Sequence, residues 1–225
     1  IVFGDWSSDV CSSDLNIVFS GRLAHNFSPF LDTNPVVNAR ERYKAVAGHA
    51  PEGLQAFVST DGISWEPFQK DPVITKGAFD SHNICMYLPQ ESLYRCYSRY
   101  FALPGSDRHV NDFEGICVGV RAIQSNSSKD MVNWDEPQSN IYDEGIPLEH
   151  FYTNATIPCP RAEHLLVSFP MRFMPERYKV TEHPHVGISD AVFMTSRDGI
   201  HFTRKFLDSW IRPDLDTRKD RKSVV

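Results

Sequence analysis

Apolar runs of roughly four to eight residues recur along the whole chain, alternating with polar positions and broken by Gly, Pro, Asp and Asn. Little of the sequence holds the 3.6-residue spacing of an amphipathic helix. The pattern predicts strands at Phe27 to Leu31, Arg42 to Ala47, Leu54 to Val58, Ile84 to Leu88, Leu93 to Tyr97, Ile116 to Ile123, Tyr152 to Ile157, His164 to Phe169 and Ala191 to Met194. The fold class expected is all-β.

One heptad occurs three times: Ser59-Thr-Asp-Gly-Ile-Ser-Trp65, Ser128-Lys-Asp-Met-Val-Asn-Trp134 and Ser196-Arg-Asp-Gly-Ile-His-Phe202. Its aspartates, Asp61, Asp130 and Asp198, are 69 and 68 residues apart. Asp before Gly turns a chain tightly, and the Asp carboxylate accepts backbone N–H groups while the following ring packs inward. Each copy follows an apolar strand and leads into a short polar one, so it reads as the hairpin tip joining the last two of four strands. A unit of about 68 residues built this way predicts a β-propeller with long loops. Three hairpins of one large sandwich are the alternative, and the constant spacing argues against it.

Composition narrows the function classes. The net charge is −6 with no basic cluster to track a phosphate backbone, and no apolar run nears the roughly 20 residues that cross a bilayer. Partners among nucleic acids and membranes are therefore not expected. Of five cysteines, none forms a C-x-x-C pair, so Cys85, Cys96, Cys117 and Cys159 read as reduced thiols on strands, with one disulfide open if the protein is exported. The ends, 1–15 and 220–225, are unlike the rest: Asp5 to Leu15 (DWSSDVCSSDL) and Asp220 to Val225 (DRKSVV) resemble translated sequencing adapters, as in a metagenomic reading frame. Without them 21 basic and 25 acidic residues remain, a net of −4, and localisation is undetermined.

Ser128-Lys-Asp-Met-Val-Asn-Trp134 resembles the S-x-D-L-x-x-W element of five-bladed propeller glycosidases, the group of invertases, levansucrases and arabinanases. HNFSPFLDTNP (His25 to Pro35), ERYKA (Glu41 to Ala45), GAFDSHN (Gly77 to Asn83), EHFYTNA (Glu149 to Ala155) and FPMRF (Phe169 to Phe173) are similar to a bacterial branch of glycosyl hydrolases without an assigned substrate. The resemblance implies a partial propeller over 16–219, with blades at about 22–70, 78–138 and 149–207 and a further one starting at 208–219. It also implies a hydrolase acting on an oligo- or polysaccharide. No cofactor follows from it; a structural Ca²⁺ on the axis is compatible with such folds, but nothing in the sequence indicates one.

The chemistry so implied needs a carboxylate beside the anomeric carbon and a proton donor at the leaving oxygen. By resemblance Asp80 takes the place of the stabilising carboxylate and Glu149 that of the acid. Where a nucleophilic or basic Asp is expected, this sequence has His25 and Asn26. Asp32 is the nearest carboxylate, but it lies seven residues on, some 20 Å along an extended strand at about 3.3 Å per residue. The missing carboxylate is otherwise on an upstream blade. His25, Asn26, His82, Asn83, Arg121, His150, Asn154 and Arg172 are candidate substrate contacts; Arg172 reads first as a buried structural cation. His183 and His185 form a loop pair with no further metal-ligand spacing. Two rival functions stay open: a sugar-binding propeller that has lost its nucleophile, and a sialidase-like propeller, whose Asp-box spacing is one residue longer and whose arginine triad is not evident.

Overall fold

The computed structural model describes residues 17–103, 109–110, 119–177 and 187–212; the terminal segments, Cys117, His183 and His185 lie outside them. The protein is all-β, with two 3₁₀ turns, Arg22–Asn26 and Ala39–Glu41, as its helical content among the described residues. None of their helices is long and apolar enough to cross a membrane.

The first sheet is an antiparallel meander of β1 (Ser28–Leu31), β2 (Tyr43–His49), β3 (Gly53–Ser59) and β4 (Glu66–Pro67). The second runs β5 (Ile84–Leu88), β6 (Leu93–Ala102), β8 (Val120–Ser128) and β9 (Gln138–Ser139), with β7 (His109–Val110) paired to the end of β6. Beyond it come β10 (Ile141–Tyr142), β11 (His150–Phe151), β12 (Thr156–Cys159), β13 (Ala162–Ser168), β14 (Met171–Met174), β15 (Ile188–Ala191), β16 (Met194–Ser196) and β17 (His201–Thr203). These form a five-stranded sheet in the order β10-β17-β16-β13-β12 and a three-stranded one, β11-β14-β15. β10 joins β17 in parallel.

Two strands expected from the sequence are broken. Of the run Tyr152 to Ile157 only Thr156 and Ile157 are strand: β11 ends before it at Phe151, Ala155 has φ +43, and β12 pairs in a different sheet from β11. Ala191 to Met194 divides where Val192 N–H turns to the Pro170 carbonyl at 3.1 Å, and the hairpin β13–β14 with β15–β16 bends as one unit.

The three heptads fold alike. Ser59, Ser128 and Ser196 each accept a backbone N–H from the residue three ahead through Oγ, at 2.9, 3.0 and 2.9 Å. Oδ1 of Asp61, Asp130 and Asp198 then takes the next two backbone N–H groups, at 2.7 to 2.9 Å. The turn needs a left-handed residue, Gly62 at φ +76 and Gly199 at +74; Met131 adopts +66 in the second copy, where its side chain is buried against Cys85.

Period-2 alternation explains how the sheets pack. Cys85 and Tyr87 of β5 join Val46, Leu54 and Ala56 of the first sheet, while Met86 and Leu88 join Phe151, Leu166 and Met194 on the other side. The second sheet thus lies between its neighbours, and β5 sits against both β1 and β12. Cys85 and Cys96, buried and directly opposed on β5 and β6, are free thiols; Cys159 is free and half-buried.

Candidate functional site

The leading ends of β1, β5 and β12 meet at one mouth of the molecule, stitched by three asparagines. Asn26 donates to the Gly48 carbonyl and, at 2.6 Å, to that of Phe79, while its Oδ1 accepts Gly48 N–H. Asn83 is wholly buried and donates to the carbonyls of Phe79 and Ser81 at 2.9 and 3.1 Å. Asn154 donates to the His82 carbonyl at 2.8 Å and accepts Thr156 N–H. Their donors are committed to the backbone, so these three candidate sugar contacts hold the mouth together instead of facing it.

Asp80 is exposed there, with Oδ1 3.0 Å from His25 Nε2. The His25 ring stacks on His49 at 5.5 Å. Beside the pair opens a cleft of about 470 Å³ lined by His25, Asn26, Phe27, Ser28, Pro29, Ser81 and His82. Ser81 Oγ donates to the Tyr152 carbonyl at 2.5 Å, which brings the segments carrying Asp80 and Glu149 into contact. Arg99 donates to the Asp80 carbonyl at 2.7 Å and lies 5.1 Å from the centre of the Tyr152 ring. Arg121 approaches the same ring at 5.5 Å and His150 Nδ1 at 3.4 Å. Burial, and then the charge of Arg121, lower the His150 pKa, which favours the neutral acceptor ring.

Glu149 lies in an ionic cluster that sequence reasoning only half found. Its Oε1 takes Arg172 Nη1 at 2.8 Å, and its Oε2 takes Nη1 of the fully buried Arg204. Arg172 also forks onto Asp190, Nε to Oδ1 at 2.8 Å and Nη2 to Oδ2 at 2.6 Å. The hydrogen bonds Arg172 donates to Asp190 push the Arg172 pKa higher; burial works to raise that of Asp190, but the bonds from Arg172 and Ser209 outweigh it and hold it low. Arg172 is thus paired with two carboxylates at once. Both Glu149 oxygens accept from guanidinium donors.

Asp32 does not join the mouth. It follows the far end of β1, with its side chain fully buried, and takes Lys44 Nζ at 2.5 Å, Tyr94 Oη at 2.7 Å and Asn34 N–H at 2.9 Å. Its surroundings are those of a buried ion pair. No group of three or more His, Cys, Asp or Glu among the described residues is placed to hold a metal ion.

A solved structure described as a glycoside hydrolase aligns over 84% of this chain with a TM-score of 0.52 and 13% identity, and this chain spans 56% of its length. At that identity the likeness concerns the fold: the chain has the β-rich fold of a glycoside hydrolase. Two looser likenesses carry nothing further. An α-L-arabinofuranosidase from Fusarium graminearum covers 70% of this chain and 38% of its own at 9% identity and TM-score 0.42. An N-acetylgalactosamine deacetylase from F. plautii covers 87% and 74% at 14% identity and TM-score 0.37. No family model and no curated protein matches the sequence.

Proposed function

We propose that the chain is part of a carbohydrate-active hydrolase of the five-bladed propeller type, its blades at about 22–70, 78–138 and 149–207, with the saccharide bound at the mouth by Asp80, His25 and His82. The observation that carries this reading is the accessible Asp80 carboxylate, set by His25 at the edge of a cleft of about 470 Å³ where two sheets begin. The threefold turn geometry and the glycoside-hydrolase likeness of the fold support the architecture. Glu149 is assigned a positioning role, anchoring the segment that presents His150 and Tyr152.

One observation favours a second reading, a sugar-binding module without hydrolysis. Of the three carboxylates expected from sequence, Asp32 is buried on Lys44 and Glu149 is held by two arginines, which leaves Asp80 alone at the mouth. The test uses the complete reading frame and a panel of arabino-, fructo- and xylo-oligosaccharides, with reducing-sugar release and calorimetric binding measured together. A hydrolase releases sugar, and Asp80→Asn lowers kcat by about 10²-fold or more with binding retained. Binding with no release assigns the module; neither binding nor release refutes both.

A further inference from the structure

Among the described residues the buried lysine and arginines are Lys44, Arg95, Arg99, Arg172 and Arg204, and all but one sit on a carboxylate. Lys44 has Asp32 at 2.5 Å, Arg95 has Glu91 at 2.7 Å, Arg172 has Asp190 at 2.6 Å, and Arg204 has Glu149. Arg99, only 5% exposed, makes no direct ion pair with a carboxylate among the described residues, although the Asp80 charge reaches it at longer range and the Tyr152 side chain hydrogen-bonds to it. Its diagonal neighbour on the same face of the second sheet, the half-buried Arg121, makes no such pair among them either; the register sets Arg99 opposite Ile123 and Phe101 opposite Arg121.

These two cations are instead packed on rings. Arg99 lies 5.3 Å from the Phe101 ring centre and 5.1 Å from that of Tyr152. Arg121 lies 6.0, 5.5 and 5.5 Å from Phe101, Tyr152 and Phe173. Nε of each is buried with no hydrogen-bond partner among the described residues. Stacking on rings does not match the cost of holding two like charges together out of water. Desolvation lowers the Arg99 pKa against the opposing effect of the Tyr152 hydroxyl, and the charge of Arg121 adds a smaller lowering that Asp80 opposes.

We propose that Arg99 and Arg121, arranged about the exposed ring of Tyr152, form a subsite for the carboxylate of a uronic acid, so that the saccharide bound at this mouth is an acidic one. The inference rests on the carbohydrate reading above and adds the substrate class to it. A guanidinium pair offers parallel N–H donors to a carboxylate, and the Tyr152 ring supplies a flat face for the sugar carbons. The site adjoins the cleft through Arg99, which holds the Asp80 carbonyl, and through Ser81, which holds that of Tyr152.

The test is calorimetric binding of a galacturonate trisaccharide and of the neutral galactose trisaccharide to the chain at low ionic strength. The acidic sugar binds at least about tenfold more tightly, and the preference shrinks in about 0.5 M salt, where screening shortens the reach of the charges. Arg121→Gln, with folding checked by its thermal midpoint, abolishes the preference, and Arg121→Lys restores part of it. Equal affinities for the two sugars, or a folded Arg121→Gln that keeps the preference, overturn the inference and leave the carbohydrate reading standing. Binding of neither sugar overturns both.

Discussion

Replacing Asp32 by Asn keeps the shape of the side chain and removes its charge. In the native fold Lys44 is 4% exposed at its side chain, and its nearest other carboxylate is Glu41 at 3.6 Å, itself partly solvated. Removing one member of a buried ion pair costs about 3 to 5 kcal/mol, because the other charge stays in a poor solvent. Glu41 offsets part of this, so about 3 kcal/mol is expected. That is a factor of roughly 10² in the folded to unfolded ratio, and a large share of the 5 to 15 kcal/mol typical of a whole domain. The double replacement Asp32→Leu with Lys44→Met removes both charges and leaves Tyr94 Oη and Asn34 N–H without their acceptor, at about 1 kcal/mol each. It therefore falls between wild type and the single variant. Urea unfolding followed by tryptophan fluorescence reads the effect: a loss of about 3 kcal/mol moves the midpoint down by about 1 M at a slope near 3 kcal/mol/M. A single variant within about 1 kcal/mol of wild type, or a double variant no better than the single one, refutes the structural role given to this pair.

Two further outcomes follow from the heptad turns. Asp61 is held at about 2 by the backbone N–H groups of Ser64 and Ile63; burial works against Asp130 and Asp198, but the same bonds outweigh it and hold both at about 2. An unfolded Asp titrates near 3.9, so the stability these groups contribute is complete above about pH 4 and disappears as pH falls to about 2. Urea midpoints measured across that range should fall steeply in wild type and less so in the triple Asp→Asn variant; parallel curves would remove the turns as the cause. Gly62→Ala should cost about 1 kcal/mol, since its added methyl meets only the Tyr43 ring at 3.5 Å, whereas Gly199→Ala places that carbon 2.7 Å from Arg95 Nε and should cost about 2 to 3 kcal/mol. Thermal midpoints of the two variants check the order.

What the sequence made legible was local. The heptad tips depend on side chains two or three residues from the amides they bond, so turn chemistry alone placed them. The run Ile84 to Leu88 is bounded by turn residues on both sides and matches β5 residue for residue. The surroundings of Asp32 were not legible because its partners, Lys44 and Tyr94, are 12 and 62 residues away. Arg204 was missed for a similar reason: Thr203-Arg-Lys205 looks like a solvated basic stretch, and only the fold brings it to Glu149, 55 residues upstream. Asp190 had a usable signal, a lone charge in the apolar segment Gly187 to Met194, which marks either a buried pair or a site. The asparagines were expected at strand entries as sugar contacts, and pattern cannot tell an amide facing solvent from one bonded to a carbonyl behind it, as these are.

Each of the three main sheets finishes on a strand of two residues, β4, β9 or β10, while the opposite borders, β1, β5 and β12, lie beside one another. Among the described residues the outer border of each of these three sheets is thereby a short ladder that offers another molecule little to extend, the hazard that lets β-rich chains nucleate fibrils. Colloidal behaviour at high concentration should accordingly be governed by side-chain patches and net charge, with strand-on-strand templating a minor route.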